Sequence, residues 1–300
     1  MTSTLKNQIT RIHNPSKQEF LNLWKQGQAF IINGVANQWD AYKKWSNDYL
    51  ISTCGDNLVP VEAYNQTFFQ NSNFDYDNFH HLKEMKLKDY LDVVNGNQKD
   101  DNISYYMAQL DFNKYFPELI KDILPPKYFT KNLKIMYFFF GFSNKKSTST
   151  TYLHFDDVHN IFAQIRGRKK FILYPPSNYL SFYPPIGDNG SSSAWTTVAW
   201  SKVNPAKPDL ESYPKFPWQD KIEVILEAGE ILYIPPLWWH HVTAIEENIS
   251  LTFWYPPSIK DLIAQKGFLS TFLQIAPHVI PHLIKSEVKK KLKIISSNQT

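Results

Sequence analysis

The chain is short of the residue types that define several classes of site. It has one cysteine, Cys54, in 300 residues. A single thiol excludes internal disulfides and any metal cage built on Cys, so a metal centre would have to use His and carboxylate. Only three of its 32 basic residues are arginines, Arg11, Arg166 and Arg168. Bidentate phosphate forks are therefore scarce outside one short stretch. The net charge of +4 is too small to make nucleic acid the default partner. Long apolar runs are also missing. The most apolar late stretch, Phe268 to Ile284, is interrupted by Gln274, Pro277, His278, Pro281 and His282, against the roughly 20 apolar residues of a membrane span. Met1 to Ser16 is polar and has no apolar core of signal-peptide length. We therefore expect a cytoplasmic protein without a membrane segment.

Aromatic residues are abundant: 21 Phe, 17 Tyr and 9 Trp, enough for a large core at this length. At about 150 residues per domain the length gives two domains, although barrels of about 200–250 residues form one. Ser16-Lys17-Gln18-Glu19 is a capping box, followed by Phe20, Leu21 and Trp24 at helical spacing and by Gly27 as a stop. Ala29 to Ile32 predicts a buried strand, and Leu58 to Val61 an edge strand that tolerates Pro60. Helices are expected at Leu87–Val94 and Phe116–Ile123, with a strand at Ser104–Leu110 between them. From Leu133 the pattern turns to closely spaced short strands, including Ile135–Phe140, Ile161–Ile165, Lys169–Tyr174, Ile222–Leu226, Ile231–Ile234, His240–Ala244 and Ile249–Tyr255. Arg166-Gly167-Arg168 predicts a hairpin between two of them. Pro175 to Trp218 predicts a long functional loop. This spacing implies a barrel or sandwich. We divide the chain into an N-terminal helix-and-strand segment over 1–99, a catalytic core over 100–257 and a helical segment over 258–300.

Two short stretches carry metal-ligating chemistry. His154-Phe155-Asp156 puts imidazole and carboxylate at i and i+2, on one face of a strand. By itself the triplet is weak, because nine His and 28 acidic residues produce about one such match by chance. The second stretch is Trp238-Trp239-His240-His241-Val242. Neighbouring strand residues face opposite ways, so one His of the pair can join a given centre. Two His and one carboxylate form the facial triad of non-haem Fe(II) oxygenases, which leaves three positions open. Asp157 and His159 lie out of phase with the first two ligands. Thr151, Asn160 and Lys169 lie in or beside the same strands, and Lys169 could project inward to bind a carboxylate as a point charge. Most lysines at such turns are surface charges.

Thr151 to Pro176, containing His154, Asp156, Asn160, Gln164, Gly167 and Lys169, resembles the cupin-like Jumonji-C oxygenases. So do Glu227 to Val242, Pro208-Asp209, Tyr213-Pro214-Lys215-Phe216 and Phe253-Trp254. The branch most similar in these motifs holds the asparaginyl hydroxylase inhibiting hypoxia-inducible factor and the tRNA wybutosine hydroxylase. The resemblance implies a mainly β fold: a double-stranded β-helix (cupin or jelly-roll) core with helical N-terminal elements and C-terminal helices. It implies Fe(II) held by His154, Asp156 and His240, and 2-oxoglutarate as co-substrate. Lys169, Thr151 and Tyr106 would meet the distal carboxylate, with Tyr105 as the neighbouring alternative to Tyr106. Asn160 would lie near the iron-bound carboxylate. Thr252 stands where the asparaginyl hydroxylase carries an amide before its Phe-Trp pair. Trp239 and Trp254 are the expected aromatic lining.

The implied activity is hydroxylation of a C–H bond using O2, with release of succinate and CO2. A protein or peptide side chain ranks first as substrate and a tRNA base second, with the basic run Lys285–Lys293 as its mild support. The contrasting class is a non-catalytic cupin that binds metal or a small ligand. The apolar positions Phe268, Leu269, Phe272, Leu273, Ile275, Val279, Leu283 and Ile284 suggest a homodimer through the C-terminal helices.

Overall fold

Four of the described helices start at a side-chain cap, supplied by Ser16, Ser46, Asp111 and Ser258. In the computed structural model, which describes residues 8–65, 81–96, 103–125, 132–143, 148–186, 199–265 and 267–277, helix α1 (Lys17–Lys25) begins at the predicted capping box. Glu19 N–H donates to Ser16 Oγ (3.3 Å) and Ser16 N–H to the Glu19 carboxylate (2.8 Å). Gly27 then turns left-handed at φ +62° and ends it. Helices α2 (Asp40–Lys44), α3 (Asn47–Cys54), α4 (Leu87–Val94) and α5 (Phe112–Tyr115) follow. Near the C-terminus lie α6 (Ile259–Ala264) and α7 (268–277). No described helix is long and apolar enough to cross a membrane.

The strands are β1 (Thr10–His13), β2 (Phe30–Asn33), β3 (Leu58–Asn65), β4 (His81–Lys86), β5 (Ile103–Asp111), β6 (Ile135–Gly141), β7 (Thr150–His154), β8 (His159–Arg166), β9 (Lys169–Tyr174), β10 (Ile222–Leu226), β11 (Ile231–Ile234), β12 (Trp239–Ala244) and β13 (Asn248–Tyr255). They form a nine-stranded sheet ordered β1-β2-β11-β8-β13-β6-β5-β3-β4 and a four-stranded sheet ordered β10-β9-β12-β7. Strands β6 to β13 thus make two four-stranded halves, a double-stranded β-helix, and the molecule is mainly β with flanking helices. The N-terminal strands extend the larger half at both sides. The main apolar cluster packs helices on that sheet through Phe20, Trp39, Trp45, Tyr90, Phe112 and Phe138. A second cluster, with Ile31, Phe162, Phe171, Leu173 and Leu232, draws on both sheets.

Two sequence expectations need correction. β8 and β9 are not a hairpin: they belong to different sheets, and Arg166-Gly167-Arg168 is the corner between them. Gly167 has φ +62°, and an added Cβ would meet Glu247 O at 2.0 Å, so this corner needs glycine. Over Leu58–Val61 β3 pairs with β4 alone and is open on its other side, and only from Glu62 onward does it lie between β4 and β5. Pro60 is tolerated because β5 pairs with β3 only over Glu62–Asn65, leaving the proline's missing donor unneeded. The helix expected at Phe116–Ile123 is instead α5 followed by a 3-10 turn, Pro117–Asp122. Strands β1 and β4 had no legible signal: TRIH and HLKEMK are short and largely polar.

Candidate active site

His154 is the last residue of β7, and Asp156 follows the strand's end. His240 lies on β12 directly opposite His154 in the antiparallel register. The two imidazole centroids are 4.1 Å apart. Asp156 Oδ2 is 3.6 Å from His240 Nε2, and Oδ1 is 4.0 Å from His154 Nε2. One potential ligand atom from each residue lies within 4.8 Å of the others, the one such metal-competent group found among the described residues.

Backbone carbonyls set the ring orientations. His154 Nδ1 lies 2.7 Å from Tyr152 O, and His240 Nδ1 lies 2.9 Å from Trp238 O. A carbonyl can only accept, so each Nδ1 carries the proton and each Nε2 offers a lone pair to the common point. Burial reinforces this. It lowers both His pKa values to about 4, with the neighbouring His240 adding to the effect on His154. Both rings are therefore neutral at pH 7, as metal ligation requires. Burial raises the Asp156 pKa, and His154 and the Asn160 amide (3.4 Å from Oδ2) partly oppose it. The Leu237 N–H donates to Asp156 O at 2.8 Å. Leu237 sits at φ +66°, so a strained turn ties the carboxylate ligand's backbone to the strand that delivers His240.

The triad borders a cavity of about 400 Å³ also lined by Tyr106, Thr151, Asn160, Lys169 and Thr252. Lys169 pairs with Ala244, four residues along β12 from His240, which puts it roughly 13 Å along the strand from the triad. The side chain is 1% exposed. Its ammonium donates to Tyr106 Oη (3.3 Å) and sits 5.1–5.6 Å from the centroids of Tyr106, Phe139 and Phe162. Among the described residues no carboxylate pairs with it, and burial lowers its pKa to about 7. Thr151 hydrogen-bonds Tyr106, while burial raises the Tyr106 pKa. Tyr105 packs instead into the main core.

The donor set fits Fe(II) and an anionic co-substrate. Two neutral imidazoles and one carboxylate on adjacent strand ends are the facial ligand set, with the cavity on the open side. Asn160 Oδ1, Thr252 Oγ1 and Trp254 Nε1 are buried without a hydrogen-bond partner among the described residues, which marks the cavity as built for a polar occupant.

Trp254 lines the cavity, but Trp239 does not. Trp239 stacks on Phe182 at 4.5 Å and meets Phe155 edge-on at 4.9 Å, because the parity of β12 puts it opposite His240. His241 likewise faces away, toward Thr243 (3.2 Å). Asp157 is exposed at the cavity, and His159 is buried behind β8 against Trp24, Tyr233 and Asp261. Sequence reasoning missed Glu62, Gln109, Tyr152 and Trp200, which also line the cavity. β7 is bulged between Thr151 and His154, so parity counted from His154 does not identify Tyr152, whose ring meets His241 edge-on at 6.2 Å. Glu62, Gln109 and Trp200 arrive through non-local pairing and have no local signal.

A family model described as the cupin-like domain matches residues 16–261. JmjC domain-containing protein D of Dictyostelium discoideum is 31% identical over 263 residues, covering 81% of this chain and 55% of that protein. A bifunctional peptidase and (3S)-lysyl hydroxylase of Homo sapiens is 27% identical over 242 residues, 75% of this chain and 76% of its own length. The tRNA wybutosine-synthesizing protein 5 of Gallus gallus is 27% identical over 266 residues, 82% of this chain and 77% of its own length. The fold is a cupin-type barrel, and its cavity carries one group of side chains that could hold a metal ion. The chain belongs to the cupin-like Jumonji-C family, a family of Fe(II)/2-oxoglutarate-dependent oxygenases. It spans about half the length of the Dictyostelium relative.

Proposed function

We propose that this protein is an Fe(II)- and 2-oxoglutarate-dependent hydroxylase acting on a C–H bond of a protein or peptide side chain. The observation that carries this reading is one cavity with two complementary ends: three metal-competent side chains at one, and at the other a buried lysine with no carboxylate partner among the described residues. In this reading His154, Asp156 and His240 hold Fe(II), and Lys169, Tyr106 and Thr151 bind the distal carboxylate of 2-oxoglutarate. Asn160 orients the Asp156 carboxylate, and Thr252 offers a hydroxyl to the co-substrate. Iron, 2-oxoglutarate and O2 together supply the oxidation, which leaves succinate and CO2 beside the hydroxylated product. The chain's own residues bind and orient these groups, and the aromatic walls at Phe139, Phe162 and Trp254 exclude water from them.

The human lysyl hydroxylase favours the protein-substrate reading, and the small net charge agrees with it. A tRNA base is the second reading, favoured by the chicken relative. The basic run Lys285–Lys293 lies outside the described residues. A non-catalytic cupin ranks last, since a bare metal site has no use for a buried lysine. We assign the protein to the cytoplasm, with residues 100–257 as its catalytic core, and propose a homodimer through the C-terminal helices. Exposed Leu269, Phe272 and Leu273 support the dimer, whereas Phe268 and Ile275 pack on the barrel side. Val279, Leu283 and Ile284 lie outside the described residues.

The test is mass spectrometry of protein and tRNA fractions from cells with active enzyme or the His154→Ala variant. A +16 Da species confined to peptides and dependent on His154 is expected. A His154-dependent +16 Da nucleoside would move the assignment to tRNA, and no such species in either fraction would contradict hydroxylation of both.

A further inference from the structure

We propose that Trp200 is a positioning residue for the metal ligand His154, an assignment that rests on the metal-site reading above. β7 is the edge strand of the four-stranded sheet, and His154 is its last residue. A ligand there is exposed to fraying that His240, paired on both sides in β12, does not face.

The long connection between β9 and β10 returns to this edge. Phe155 N–H donates to Ala199 O and Ser201 N–H to Leu153 O, both at 2.9 Å. These two bonds flank the antiparallel bridge between His154 and Trp200, which makes them a non-hydrogen-bonded pair, the geometry that brings side chains closest. The Trp200 indole lies on the His154 imidazole, with centroids 4.8 Å apart and planes 18° from parallel.

The return segment is itself anchored. Ser201 Oγ donates to Phe182 O (2.6 Å) and accepts from Val203 N–H (3.0 Å), and Ser201 is 3% exposed. The carbonyl of Tyr152 fixes the imidazole about its hydrogen bond. Trp200 adds what that bond cannot, a flat surface that holds the plane of the ring. Trp200 also lines the cavity at the metal end, so one side chain both holds the ligand and bounds the space offered to the substrate.

Anaerobic titration with Co(II), read by its visible d–d absorption, tests this in the full chain. Trp200→Leu keeps apolar bulk and removes the ring, and Trp200→Phe restores a flat surface. Trp200→Leu is expected to weaken Co(II) binding about tenfold, within the range for residues that support metal ligands, with unchanged far-UV circular dichroism. Trp200→Phe is expected to recover most of that loss. Leu and wild-type affinities within twofold of each other, or a Phe variant as weak as Leu, would overturn the assignment. If Trp200→Leu does not fold, the comparison of Phe with wild type decides: a Phe variant binding over fivefold more weakly overturns it. Wild type that binds no Co(II) in a His154-dependent way would defeat the metal-site reading itself, a result distinct from the first two.

Discussion

A lysine ammonium enclosed by three aromatic rings is costly until an anion meets it, and Lys169 is in that position. Burial holds its pKa at about 7, against an ordinary 10.5. Between these values the unfolded chain binds more protons than the folded chain, so stability climbs as pH rises. The slope from this group is at most about 1.4 kcal/mol per pH unit, and it vanishes below the folded pKa. Chemical denaturation at several pH values between 7 and 10 checks this. Lys169→Met should remove the slope, raise stability near neutral pH in the absence of co-substrate, and weaken 2-oxoglutarate binding by about 100-fold. For wild type, calorimetric affinity for 2-oxoglutarate should fall toward tenfold per unit as pH rises well past 7, because the carboxylate needs the ammonium. At this scale the sequence was informative in part: the i, i+2 spacing picked out His154 and Asp156, which do converge with His240, although β7 ends at His154 and Asp156 lies beyond the strand. It was uninformative for Trp239, where the segment was read correctly but the face was not. Trp238, of the same parity as His240, is itself buried in another cluster, so parity alone did not identify the lining.

Among the elements, the corner at Gly167 links the two sheets at the site. It turns the chain from β8, which carries Asn160, to β9, which carries Lys169, and so from one sheet to the other. Arg166 braces this corner through Glu247 and Asn47 and donates to Trp45 O at 2.8 Å. Gly167→Ala would force a Cβ against Glu247 O and a side chain into positive φ. It should cost about 2–4 kcal/mol, measured by urea unfolding, and should weaken 2-oxoglutarate binding through the displaced Lys169. Trp239→Ala should cost about 3–5 kcal/mol yet leave metal affinity within about threefold in the folded fraction, since the side chain packs away from the cavity. Apart from the polar β1 and β4, the strands were legible from β-branched and aromatic runs. Their partners were not, because a hairpin and a sheet-to-sheet corner leave the same Gly-centred signal.

For the whole molecule, the order of strands was out of reach of sequence patterning. β2 meets β11 across about two-thirds of the chain, and β6 lies between β5 and β13; such pairings follow from global packing, not local periodicity. Family resemblance supplied the barrel, and the structure supplied the extensions that surround it. The claim on which everything rests is that one cavity holds Fe(II) at His154, Asp156 and His240 and 2-oxoglutarate against Lys169. The most direct measurement is the visible absorption of the protein after anaerobic addition of Fe(II) and 2-oxoglutarate. A charge-transfer band is predicted for wild type, lost in His154→Ala and, at the same co-substrate concentration, strongly reduced in Lys169→Met. A wild type without the band, or a band unchanged by His154→Ala, would contradict the account.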